Sequence, residues 1–224
     1  MFDRIIKFIG EDSFNKINNS SVLVIGLGGV GGTCVEALIR SGISNIIIVD
    51  YDKVDISNLN RQVITNLDNI GLYKTDVMEK YILSINKDCN VIKVNKRIDL
   101  NNIEDLFSYD FDYLIDCCDS INIKCELIRL CLGNNITFIS SMGTGNKIDP
   151  SMLKIMDIRD TSYDPVAKRI RKYVSDNKIR GNIPVVCSCE QNDRFDGSIP
   201  SMIFVPSYSG LLCANYIIRK IIEK

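Results

Sequence analysis

The sequence contains no histidine. Imidazole is the usual proton carrier near neutral pH and a frequent metal ligand. Its absence excludes Ser-His-Asp and Cys-His nucleophilic chemistry and leaves carboxylates, lysine, arginine and thiols. Nine cysteines are present, an odd number, and no pair has Cys-x-x-Cys spacing. That argues against a four-cysteine zinc site and against a disulfide framework. No apolar run approaches the ~20 residues of a membrane-spanning helix, and Met1-Phe2-Asp3-Arg4 lacks a signal-peptide pattern. A cytoplasmic protein is expected. The formal charge is only −1, so a polyanionic partner would have to use a local patch.

What is present suits one globular unit. The 224 residues are 46% hydrophobic and 25% charged, enough for one substantial core. The stretch that organises the chain is Gly26-Leu27-Gly28-Gly29-Val30-Gly31. Before it runs Val22–Ile25, an apolar run suited to a buried parallel strand. After it, Cys34, Val35, Ala37, Leu38 and Ile39 have roughly helical spacing. Strand, glycine turn and helix make a phosphate cradle, with the phosphate on the positive helix end. Asp50 closes the next apolar strand (46–49), about where a ribose-binding acid is expected, ~20 residues on.

An amphipathic helix is expected over 3–18, and residues 51–70 are polar and irregular around Asn58-Leu59-Asn60-Arg61-Gln62. Further helices are expected at 72–86, near 101–107, at 121–131, 163–178 and 208–222. Strands are expected at 91–94, 113–115, 137–140, 153–158, 183–189 and 202–205, with a polar loop at 191–200. Alternating strands and helices imply an α/β, Rossmann-like, mostly parallel sheet with helices on both faces, extended by a C-terminal αβ portion. Ligands then sit beyond the carboxyl ends of the strands, which carry the glycine loop, Asp50 and Asp116-Cys117-Cys118-Asp119. One domain over 1–224 is expected, with a nucleotide-binding half (1–140) and a substrate half (141–224). Cys34, Cys117, Cys118, Cys125, Cys131 and Cys213 read as small core residues. Cys187 and Cys189 would share one strand face, with packing as the favoured reading.

The glycine turn with the downstream Asn-x-Asn-Arg-Gln resembles the superfamily of ubiquitin-activating enzymes and their thiamin- and molybdopterin-pathway relatives. Those proteins bind ATP and adenylate a carboxylate. Ser141-Met-Gly-Thr-Gly-Asn-Lys-Ile-Asp-Pro150, then Asp160-Thr-Ser-Tyr-Asp-Pro-Val-Ala-Lys168, is similar to the tRNA threonylcarbamoyladenosine dehydratase branch, as are Phe204-Val-Pro-Ser and Gly210-Leu-Leu. The resemblance implies that Gly26, Gly28, Gly29 and Gly31 cradle phosphates and that Asp50 holds the ribose. It implies that Asn58, Arg61 and Gln62 contact the triphosphate, that Lys74 reaches the phosphates and that Asp119 holds Mg²⁺. Arg4 matches an arginine that reaches into a partner subunit's site, which implies a homodimer.

The implied reaction is ATP-dependent cyclisation of the threonylcarbamoyl group on adenosine 37 of tRNA. A rigid Arg fork, a Lys point charge and a metal suit the charge that develops at phosphorus, and none needs histidine. The basic stretch Lys168, Arg169, Arg171, Lys172 and Lys178 is a candidate tRNA surface, or simply a solvated helix face. The main alternative is an adenylyltransferase acting on a ubiquitin-like sulfur carrier. The missing Cys-x-x-Cys pairs and the Asn146-Lys-x-Asp-Pro150 run argue against it, and a sulfur-transfer partner is left open. An NAD-dependent oxidoreductase would leave Arg61, Lys74 and Asp119 unexplained. A non-catalytic tRNA- or partner-binding module with a dead ATP fold is opposed by the intact charged set. Cys187 and Cys189 match no catalytic cysteine.

Overall fold

Short runs of β-branched residues build the centre of the molecule, because a strand covered on both faces needs apolar side chains at every position. The computed structural model describes residues 1–191 and 199–223. Strands β1 (Ser21–Ile25), β2 (Asn45–Val49), β3 (Asn90–Val94), β4 (Tyr113–Asp116) and β5 (Thr137–Ser141) are parallel. β6 (Leu153–Asp157) and β7 (Pro184–Ser188) extend them into one seven-stranded sheet of order β3-β2-β1-β4-β5-β7-β6, with β6 antiparallel to β7. The expected Rossmann-like α/β sheet is therefore observed, and its C-terminal extension joins the same sheet.

Among the described residues, seven α-helices flank it: α1 (Asp3–Ile9), α2 (Glu11–Asn19), α3 (Gly29–Arg40), α4 (Lys74–Ile85), α5 (Ile121–Gly133), α6 (Pro165–Asp176) and α7 (Phe204–Ile222). Strand side chains alternate between two cores. Val22 and Val24 face Cys34, Leu38, Met78 and Ile217, from α3, α4 and α7. Leu23 and Ile25 face Leu127, Ile128 and Ile170, from α5 and α6. Burying each large side chain contributes roughly 1.5–3 kcal/mol. The chain leaves β1 toward β2 and β3, then returns to β4 on β1's other side. A crevice opens at such a reversal, beyond the carboxyl ends of β1 and β4.

Several local expectations are corrected. The N-terminal helix is two helices, broken at Gly10, whose φ is +84°. The segment near 101–107 is a 3₁₀ turn, Ile103–Ser108. The helix expected from Tyr163 starts at Pro165, because Asp164 caps it: its Oδ1 accepts the Ala167 N–H at 2.7 Å. No strand forms at 202–205, and the chain enters α7 at Phe204. Pro206 is buried in the first turn of α7, where its missing N–H breaks no helical bond. Within the expected loop 191–200, residues 192–198 lie outside the described residues.

Candidate active site

A cavity of about 500 Å³ fills the crevice, a volume suited to a nucleotide. Gly26, Gly28, Gly29, Asp50, Asn58, Arg61, Gln62, Lys74 and Asp119 all line it. The glycines divide by role. Gly26 has φ +89°, and a Cβ on it would meet the Cys117 carbonyl at 2.8 Å, while a Cβ on Gly31 would overlap the Gly26 carbonyl. These two close the turn, and Gly31 is buried outside the cavity lining. Gly28 faces open space, its nearest neighbour being Gln62 Nε2 at 4.0 Å from an ideal Cβ. A phosphate can approach there, at the start of α3.

Asp50 braces the turn. Its Oδ2 accepts the Leu27 N–H at 2.6 Å and its Oδ1 accepts the Asp52 N–H at 2.8 Å. Burial pushes its carboxyl above the ordinary range, while the Asp52 N–H, the nearby Lys74 and the Leu27 N–H pull the other way. Each oxygen keeps a second lone pair for a hydroxyl.

The loop after β2 is folded by its own polar groups. Asp55 and Asn58 form a reciprocal cap, with Asn58 Oδ1 accepting the Asp55 N–H at 3.1 Å. That turn presents Arg61, whose Nη1 donates to the Ser57 carbonyl at 2.7 Å and to Asn60 Oδ1 at 2.9 Å. Its other N–H groups make no hydrogen bond among the described residues. Gln62 is buried, yet its Oε1 has no hydrogen-bond partner among the described residues. Leaving such a group unmet costs roughly 1–3 kcal/mol. A donor such as a ribose hydroxyl or water would satisfy it, and the rotated amide would offer N–H to a phosphate oxygen. Lys74 opens α4, only 6% exposed, with Nζ 3.0 Å from Asp52 Oδ2.

At the end of β4 the exposed Asp119 borders the cavity with no hydrogen bond among the described residues. Below it lies a network that sequence reasoning missed. Lys124 of α5 is buried, with Nζ 3.1 Å from Asp116 Oδ2, 2.7 Å from the Ser141 carbonyl and 3.3 Å from Ser140 Oγ. Ser140 in turn donates to Asp116 Oδ2 at 2.6 Å. Burial opposes the ammonium charge most strongly, but Asp116, Cys118 and Cys117 together outweigh it and hold Lys124 above its ordinary value. The available signal was a lysine on the apolar face of α5, between Ile123 and Cys125.

Cys117 and Cys118 are half-buried, each lining the cavity while packing against one of the two cores, and Cys34, Cys125, Cys131 and Cys213 are buried as expected. The thiols of Cys213 and Cys34 hydrogen-bond to Cys117 and lower its pKa, while theirs rise. Cys187 is buried in β7, and burial pushes it up to about 12, away from nucleophilic use. Cys189 lies just past the strand, its N–H on the Met152 carbonyl. Arg4 is exposed on α1 and does not line its own chain's cavity. The missed wall is the segment after β3. Lys96, Arg97, Ile98 and Leu100 line the cavity, and Arg97 lies over the Tyr51 ring, 5.5 Å from its centroid. The signal was their position just past a strand's carboxyl end.

The ThiF family model matches residues 2–223. The chain is 36% identical to the tRNA threonylcarbamoyladenosine dehydratase of Bacillus subtilis, over 96% of this chain and 92% of that protein. It is 35% identical to the Escherichia coli protein of that name, over 93% of this chain and 76% of the other. The solved structure of that E. coli enzyme, TcdA, in complex with ATP superposes with a TM-score of 0.93 at 30% identity, covering 99% of this chain and 93% of TcdA. The chain belongs to the ThiF family, and within it is similar to the tRNA threonylcarbamoyladenosine dehydratases.

Proposed function

We propose that this chain is an ATP-dependent dehydratase that closes the threonylcarbamoyl side chain on adenosine 37 of tRNA into a ring. The observation that carries this reading is the crevice between β1 and β4. There a glycine turn, Arg61, Gln62 and Lys74 hold unused capacity for a triphosphate, in a chain that aligns nearly end to end with dehydratases. Residues 1–224 act as one unit, with 1–140 holding ATP and 141–224 meeting tRNA, in a cytoplasmic setting.

Gly28, Gly29 and the start of α3 receive the phosphates, and Asp50 accepts the ribose hydroxyls. Arg61 and Lys74 neutralise charge on the phosphorus under attack, each worth ~3–4 kcal/mol in the transition state. Asp119 would hold Mg²⁺. Among the described residues no cluster of three or more such ligands is preassembled, and one exposed carboxylate fits an ion that completes its shell with phosphate oxygens and water. The ion would supply further charge neutralisation. The threonine carboxylate attacks a phosphorus of ATP, and one of its oxygens becomes the bridge of a mixed anhydride. The P–O bond to the rest of ATP breaks, releasing pyrophosphate from attack at the α-phosphorus or ADP from attack at the γ-phosphorus. A nitrogen or oxygen of the same side chain then attacks the acyl carbon, gives its proton to solvent and expels the phosphate group with that oxygen. Both partners of the ring closure are tethered, so high effective molarity replaces a strong base.

A homodimer accompanies this reading. α1 buries none of its residues on its own chain, and Phe8 is 88% exposed. Against a partner, α1 would be covered and Arg4 would reach the other cavity. The test of function is direct. Protein, ATP, Mg²⁺ and threonylcarbamoyladenosine-bearing tRNA should yield a nucleoside lighter by one water in mass spectrometry, and unchanged nucleoside refutes the reading.

A further inference from the structure

Among the described residues, Asn135, Asn146, Tyr163 and Lys178 are the non-glycine positions with a left-handed backbone. Asparagine tolerates it. Lys178 closes α6 in an ordinary helix-ending turn, with the Ile179 N–H on the Val174 carbonyl. Tyr163, at φ +58°, has neither explanation. A bulky side chain is strained there, and such strain persists only where the surroundings enforce it. Burial of the ring does not compensate, because Tyr163 is 62% exposed.

The surroundings do enforce it. On one side, Asp164 Oδ1 caps α6 and its Oδ2 lies 3.2 Å from Lys147 Nζ, both side chains being buried. On the other, Arg171 donates to the Thr161 carbonyl at 2.8 Å and to the Thr161 hydroxyl. The loop thus anchors the backbone on both sides of an exposed aromatic residue. A Cβ on Gly143 would lie 2.9 Å from Asp164 Oδ2, so the loop sits past the end of β5. β5 lies two strands from β1, whose carboxyl end carries the glycine turn, so both loops leave the same edge of the sheet. On the outer face of α6, Lys168 and Arg169 are exposed and make no ion pair among the described residues, whereas Lys172 is neutralised by Asp176 at 2.8 Å.

We propose that Tyr163 is a stacking platform for an unpaired nucleobase of the RNA substrate, with Lys168 and Arg169 contacting the adjoining phosphates. The proposal rests on the tRNA reading above. An exposed ring on an anchored backbone, followed within two helical turns by exposed cations, suits loop recognition, since every base offers a face to stack.

The experiment measures affinity for an anticodon stem-loop RNA bearing threonylcarbamoyladenosine, beside a duplex RNA without an open loop. Tyr163→Gly and Tyr163→Asn both suit the left-handed backbone and lack the ring. Each should melt no lower than wild type, keep wild-type ATP affinity and bind the stem-loop about 10-fold more weakly. Duplex affinity should stay unchanged, and Tyr163→Phe should match wild type throughout. Stem-loop binding by both ring-less variants at wild-type strength overturns the proposal while leaving the dehydratase reading intact. Wild type with no affinity for the stem-loop overturns both.

Discussion

The floor and the rim of the cavity use the same residue types in opposite ways. On the floor, Lys124 and Asp116 are buried together and bonded through Ser140 and the Ser141 carbonyl. On the rim, among the described residues, Arg61 uses one terminal nitrogen, Gln62 Oε1 has no partner, and Lys74 meets one half-exposed carboxylate. A completed network fixes geometry, tying the ends of β4 and β5 to α5. An uncompleted one is free to take up a ligand. Charge alone therefore does not mark the site; unspent hydrogen-bonding capacity does.

Breaking the floor should have the largest effect. Lys124→Ala strands Asp116 without its cation and should cost about 3–5 kcal/mol, read as a lower denaturant midpoint. The pair also sets a pH dependence. The folded pKa of Lys124 is raised, so its stabilisation is fully present below the ordinary lysine value and is lost as pH climbs through the folded value. Alkaline melting curves should show that loss in wild type, and a Lys124→Met/Asp116→Leu double variant should lack it.

Breaking the rim should leave the fold standing and remove the chemistry. Arg61→Ala or Lys74→Met should lower turnover about 100- to 1,000-fold, with stability changed by about 1 kcal/mol or less. Full activity in either would dismiss the phosphate assignment. A smaller effect is expected at Gln62. Gln62→Leu removes the unmet oxygen and should leave stability level or raised, with ATP bound about 10-fold more weakly, as calorimetry would show. The smallest effect concerns Asp50, whose raised pKa means that stability falls as pH rises from its unfolded to its folded value. Asp50→Asn should flatten that slope in melting curves across the acidic range.

The same contrast explains what the sequence revealed. The strands, the glycine turn, Asp50 and Asp119 are visible locally, because periodicity and strand ends place them on one edge without knowledge of tertiary partners. Arg61 and Lys74 came instead from the family resemblance. Lys124 was hidden because its partner Asp116 lies on another element and its neighbours are apolar. The start of α7 was hidden because Ile203, Phe204 and Val205 favour strands locally, while packing decides for helix. Tyr163 passed for a helical residue although the signal against it was local, Asp164 as the cap with Pro165 at the first helical position. Arg4 makes no hydrogen bond or ion pair among the described residues, and no residue of α1 is fully buried within one chain.

The central claim is that the threonine carboxylate is activated at phosphorus within this cavity, and the fate of its oxygen tests that most directly. Threonylcarbamoyladenosine-bearing tRNA, labelled with ¹⁸O in the carboxylate, is turned over with ATP and the phosphorus-containing products are examined by mass spectrometry. The account predicts one labelled oxygen on a phosphate or nucleotide product for each ring closed. Label released into water, with none on phosphorus, would contradict it.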